Sequence, residues 1–255
     1  MSDVLCKYRP VPFIPIYRKK WICFPERLED LSRKQFLALS DYIHEKGSHV
    51  PFLSAVSGIP KKQCRMLDEY QVYSLLNLTE TIFETEGTTK HFFHEIKVKR
   101  QTLHGYLDGF KYVKFGEFIF ADTYYQAYRA GKQSMLEKFI AVLFRPPLPE
   151  SKGDLRIPFN EEDVDDRQPV IIKIPARVKK VIALNYALIR RDLEKKYPFV
   201  FPESNDQISG SGSWVDVYDS VVGDDMIHSK EYADLYLTTV MRKINKAIKE
   251  EMKRK

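Results

Sequence analysis

The residues with most to offer a metal or a nucleophilic site are six histidines and three cysteines. His91 and His94 precede Glu95, and an i, i+3 histidine pair beside a carboxylate would ligate zinc on a helix. The surrounding residues alternate instead, Phe93, Glu95, Lys97 and Lys99 against His94, Ile96, Val98 and Arg100. That is strand periodicity, and it sends His91 and His94 to opposite faces. Cys6, Cys23 and Cys64 are odd in number and form no CxxC, so neither a disulfide framework nor a zinc knuckle is implied and a reducing compartment fits best. Ser211 lies between Gly210 and Gly212 without a preceding strand, which reads as a linker and not a nucleophile elbow. Neither GxGxxG nor GxxxxGK[ST] occurs. Glu161, Glu162, Asp163, Asp165 and Asp166 lack the glycine-punctuated spacing of a calcium loop and read as a solvated segment. No catalytic residue, metal or cofactor is expected, and the chain reads as non-enzymatic.

Charge and aromatic content point toward contacts. The 255 residues carry a formal charge of +6, of which residues 1–20 hold +4 and residues 241–255 hold +5, so the 220 between them sit at −3. A basic body interleaved with aromatics would be the footprint of a nucleic-acid binder. Here the positive charge is terminal, and nucleic acid is a second reading, through Arg18, Lys19 and Lys20 at one end and Arg242, Lys243 and Lys246 at the other. Fifteen tyrosines and sixteen phenylalanines are more informative. Phe118, Phe120, Tyr124, Tyr125 and Tyr128 cover more than one face of a helix, so most belong to a core and some to an interface. The candidate protein-contact residues are Phe13, Ile14, Tyr124, Tyr128, Trp214, Tyr218, Tyr232 and Tyr236.

The elements that must position them read as mainly α, in helical lobes with a small β-hairpin near 92–115 and a long C-terminal helix. Residues 1–24 form an extended, proline-rich arm. Residues 25–145 form a helical domain. Its first helix is opened by the Ser32–Gln35 capping box and carries Phe36, Leu39 and Ile43 on one stripe. A second helix follows Pro60, out to about Phe83. The hairpin turns at Gly105 or Asp108–Gly109 and returns through 111–115. Helices over 115–128 and 135–143 then pack as an αα-hairpin. Residues 146–175 are an irregular acidic linker. Residues 176–255 form a C-terminal helical module, with a flexible Gly/Ser stretch at 208–213, a short helix from Trp214, and a last helix from Ser229 to the end. No apolar run is long enough to span a bilayer and the first residues lack a signal-peptide core, so a cytoplasmic location is expected and no membrane contact.

Four blocks carry a family resemblance. Phe24-Pro25-Glu26-Arg27-Leu28-Glu29-Asp30-Leu31-Ser32-Arg33-Lys34-Gln35-Phe36 resembles the opening of proteins encoded in phage and prophage tail modules. Phe115–Phe118 to Asp122–Tyr125, with Leu136 to Ala141–Pro146, is similar to their middle. Tyr186 to Tyr197–Phe201 is similar to their third block, and Trp214, Gly223-Asp224 and a long final helix resemble their C-terminal layout. The resemblance implies an all-helical, non-catalytic factor, most closely like a tail-assembly chaperone that binds the tape-measure or tail-tube protein. A virion connector or tail structural subunit is the alternative, and self-association is compatible with either. It places the protein in the host cytoplasm or the virion, and the family pattern brings no catalytic residues with it.

Overall fold

A computed structural model of the chain describes residues 2–8, 16–45, 49–85, 87–201 and 214–254. Helices dominate, and the only sheets among these residues are two antiparallel strand pairs, so the fold is mainly α with a small hairpin. The chain divides into two units, Met1–Phe92 and Phe93–Lys255.

In the first unit the arm expected to be extended supplies two strands, β1 (Ser2–Tyr8) and β2 (Arg18–Phe24), paired antiparallel with Leu5 opposite Trp21 and Lys7 opposite Lys19. Period-2 alternation buries Cys6, Ile22 and Phe24 and leaves Leu5, Trp21 and Cys23 on the outer face. Phe13 and Ile14 lie outside the described residues. The capping box opens α1 (Arg33–Glu45): Gln35 N donates to Ser32 Oγ at 3.3 Å, and Gln35 Oε1 accepts from Ser32 N at 2.8 Å. Phe36 is buried and stacks on Phe92 with centroids 4.1 Å apart. α2 (Val50–Ser57) stops at Gly58, whose φ of +64° is the left-handed cap that glycine adopts without strain. A single turn, α3 (Lys61–Cys64), precedes α4 (Glu69–Thr85).

The second unit begins with β3 (Glu95–Val98) and β4 (Gln101–His104). The alternation reads correctly, with Ile96 and Val98 buried and Glu95 and Lys97 exposed. The turn does not fall at either glycine. It is Lys99–Arg100, with Lys99 held at φ +54°, a left-handed position that no glycine marks. Residues 113–115, expected to pair in this hairpin, instead pair with the C-terminal region: Phe115 N donates to Leu235 O at 2.8 Å and Leu237 N to Val113 O at 2.9 Å. α5 (Phe115–Arg129) and α6 (Met135–Leu143) pack as the anticipated αα-hairpin. Within 146–175, expected to be irregular, Asp163–Ile171 form α7, whose first turn carries three aspartates against the positive helix end. α8 (Ala176–Lys196) follows Pro175. The last helix is broken in two, α10 (Ser229–Ala233) and α11 (Leu237–Arg254), because residues 235–237 spend their backbone groups on 113–115; α9 (Trp214–Val222) precedes them. Tyr186 of α8 is the centre of the core, with Phe110, Tyr125 and Phe139 rings at 5.5, 5.0 and 4.8 Å.

Candidate functional site

α5 buries two carboxylates, and each is met by cations from elsewhere in the second unit. Glu117 is 1% exposed. Its Oε1 accepts from Arg156 Nη1 at 2.5 Å, and its Oε2 accepts from Arg145 Nη2 and Arg156 Nη2, both at 3.3 Å. Arg145 is delivered by the end of α6, and Arg156 by a backbone bridge to Pro147. Arg156 also grips Asp154 through Nε and Nη2, each at 2.8 Å, and donates Nη1 to Leu143 O at 3.0 Å. Burial pulls the Arg145 guanidinium below its ordinary range although Glu117 opposes it. Burial also acts against charge on Arg156, but Glu117 and Asp154 outweigh it and hold that guanidinium above its ordinary value. Asp154 is pushed up by burial and pulled down further by Arg156, so its carboxyl lies below the usual range. Two carboxylates face two guanidiniums, and every Glu117 oxygen is occupied by a charged donor. Chemically this is a clamp joining α5, the end of α6 and the 154–156 segment.

Asp122, 0% exposed, is the second hub. Oδ1 accepts from Tyr186 Oη at 3.0 Å and Arg190 Nε at 2.7 Å, while Oδ2 accepts from Trp214 Nε1 at 2.6 Å. Burial and the neighbouring carboxylate hold the Tyr186 phenol well above its ordinary value. Tyr186 is therefore a donor at neutral pH.

The anticipated contact residues are spread over several elements. Trp214 is half-buried on Asp122 and Phe118, and Tyr218 is half-buried with its hydroxyl donating to Ser229 O. Tyr232 Oη donates to Asp225 Oδ2 at 3.2 Å. Tyr236 is exposed beneath Lys114 Nζ, 4.1 Å from its ring centre. Tyr124 lies 6.3 Å from Phe120, and burial raises the half-buried Tyr128 phenol. Arg18, Lys19 and Lys20 are exposed on β2, where Lys20 Nζ donates to Gly58 O at 3.2 Å. Arg242, Lys243 and Lys246 are exposed on α11, the last 3.7 Å from Glu250.

The most outward apolar side chains were not singled out from the sequence. Trp21 is 65% exposed, Tyr70 of α4 is 79% exposed with Tyr73 beside it one turn on, and Ile227 is 92% exposed next to Met226. Parity could have found Trp21, because its neighbours Ile22 and Phe24 are core residues. Comparison with known protein families, curated proteins and solved structures gives no match. Among the described residues, no three metal-binding side chains group together and no helix is long and apolar enough to cross a membrane.

Proposed function

We propose that the protein is a non-enzymatic assembly factor that works by binding other proteins, of the tail-assembly-chaperone kind, with a tape-measure or tail-tube protein as its partner. The observation that carries the protein-binding part is the outer face of the β1–β2 hairpin. Leu5 and Trp21 stand opposite each other on it, and both are exposed. Gln71 spends its side-chain amide on the outer edge of β1, its nitrogen donating to Lys7 O at 2.6 Å and its oxygen accepting from Lys7 N at 3.2 Å. Lys7 therefore points its backbone groups away from β2. Lys7–Lys19 and Leu5–Trp21 are then non-hydrogen-bonded pairs, whose side chains approach most closely. A joined apolar pair on a regular, exposed strand face is what a docking site offers, whereas scattered apolar residues are ordinary. The tail-assembly part rests on the four blocks of resemblance. Co-expression with neighbouring tape-measure or tube protein should give a complex that survives purification; pull-downs that repeatedly recover neither would reject it.

A second reading has its own support on the same face. Two lysines directly opposite each other repel, and an anionic partner would relieve that. With Trp21 on β2 and Tyr17 just before it on either side of Lys19, cations and stacking surfaces alternate as in single-strand nucleic-acid binding. On this reading affinity for single-stranded DNA falls steeply with salt and disappears in Lys7→Ala with Lys19→Ala; binding indifferent to salt excludes it.

A further inference from the structure

We propose that the face of α5 bearing Phe115 and Phe118 is a helix-binding groove that α9 occupies in cis, and that an amphipathic helix of a partner protein, carrying a tryptophan followed by apolar residues three, four and seven positions on, displaces it. This rests on the protein-binding reading above and adds to the β1–β2 face a second, separate surface, in the other unit.

α9 is seated as a ligand would be. Its inner stripe is Trp214, Val217, Tyr218 and Val221, all half-buried, and its outer face of Val215, Asp216, Asp219 and Ser220 is exposed. The Trp214 ring meets Phe118 edge-on at 5.0 Å, and Tyr218 lies 6.2 Å from Phe115. Of the nine residues only Val222 is fully buried. A helix shorter than about 12 residues does not stand alone in water. α9 therefore owes its form to this seat.

Its neighbours are held by other means. Gly116 lets α10 approach, with Ala233 Cβ 3.0 Å from where a Cβ would stand, and backbone bonds from 113–115 to 235–237 anchor the start of α11. Between α9 and these anchored elements lies Gly223, at φ +57° with nothing within 4 Å of the position a Cβ would take. The joint is open where a helix would have to swing.

Electrostatics also permit release. When Trp214 leaves, Asp122 keeps Tyr186 and Arg190 on Oδ1 and loses only the indole bond on Oδ2, which then meets water or a new donor. No buried charge is stranded, in contrast to Glu117, where withdrawing either arginine removes a counter-charge from a fully buried carboxylate. The uncovered groove would present Phe115, Phe118 and Phe201 around a carboxylate oxygen. Apolar rings select an amphipathic helix, and the acceptor at their base selects one with an indole N–H.

The test uses the full chain and a fluorescently labelled peptide of residues Trp214–Asp224. Anisotropy should show binding at least tenfold tighter to Trp214→Ala, and to the independent variant Val217→Asp, than to the unaltered chain, and a peptide with phenylalanine for its tryptophan should lose most of that gain. Hydrogen exchange on the unaltered chain, which needs no variant to fold, should show α9 amides exchanging at least a hundredfold faster than those of α8. Equal peptide binding to all chains, or α9 amides as slow as α8, would overturn the proposal. Peptide capture together with failed tape-measure and tube pull-downs supports the groove while rejecting the tail-protein partner.

Discussion

Replacing Glu117 by glutamine tests whether the ionic clamp holds the second unit together. The substitution preserves shape and one carbonyl oxygen but removes the charge that faces two guanidiniums. Arg156 would retain Asp154 at 2.8 Å and Leu143 O. Arg145, 1% exposed, would keep no carboxylate nearer than an Asp154 oxygen at 3.7 Å. Removing one member of a buried ion set costs about 3–5 kcal/mol because the other charge stays buried without compensation. A folded domain has roughly 5–15 kcal/mol in total. With a urea dependence of roughly 2 kcal/mol/M, the unfolding midpoint should fall by about 2 M. Trp214 reports this unit because it is half-buried against Asp122, and a Trp21→Phe background silences the exposed tryptophan of the other unit. A midpoint within about 0.3 M of the parent, equivalent to roughly 0.6 kcal/mol at that slope, would refute the reasoning. The companion variant replaces Glu117 with leucine, both arginines with methionine and Asp154 with asparagine, and it should cost less than the sum of the single changes, since no charge of the clamp is then left alone.

Three further outcomes follow from other contacts. Gly116→Ala places a methyl 3.0 Å from Ala233 Cβ and should lower stability by about 1–2 kcal/mol in thermal unfolding, with Ala233→Gly in the same chain restoring most of it. Donating Nδ1–H to Asp225 Oδ1 raises His228 above its ordinary 6.5, so the pair's contribution is complete below that value and is lost as pH rises through the folded-state value. In an NMR titration Asp225→Asn should bring the His228 midpoint down toward 6.5, and an unmoved midpoint contradicts the assignment. Trp21→Ser should change unfolding by less than about 0.5 kcal/mol, because the side chain is exposed, yet weaken partner capture; loss of folding instead would make Trp21 a core residue.

What was legible in the sequence was local and periodic. The Ser32–Gln35 box opens a helix, Phe36 and Leu39 are core, Ile96 and Val98 share a buried face, and α5 and α6 form their hairpin. What was hidden depended on partners distant in the chain. A left-handed Lys99 gives no glycine signal, so the sequence points to the next glycine, Gly105, instead. The break between α10 and α11 has no proline or glycine to mark it, because it is made by backbone pairing with residues more than a hundred positions away. Glu117, Asp122, Arg145 and Arg156 look like ordinary surface charges in the sequence. Only the fold shows that they are buried, since the partners of Glu117 and Asp122 lie 28 to 92 residues off.

The two hubs on α5 explain why its aromatic residues cover more than one face. Glu117 and Asp122 are five residues apart, about 140° around a helix of 3.6 residues per turn. One side of α5 is therefore clamped to Arg145 and Arg156 and the other to Tyr186, Arg190 and Trp214. The two sides differ in what it takes to undo them. Opening the Glu117 side separates charges that have no water to turn to, so it opens only with global unfolding. Opening the Asp122 side at Trp214 removes one neutral donor from a carboxylate that keeps its cation. A helix fixed rigidly along one side and covered by a removable nine-residue segment along the other can expose its phenylalanines without losing its place in the core.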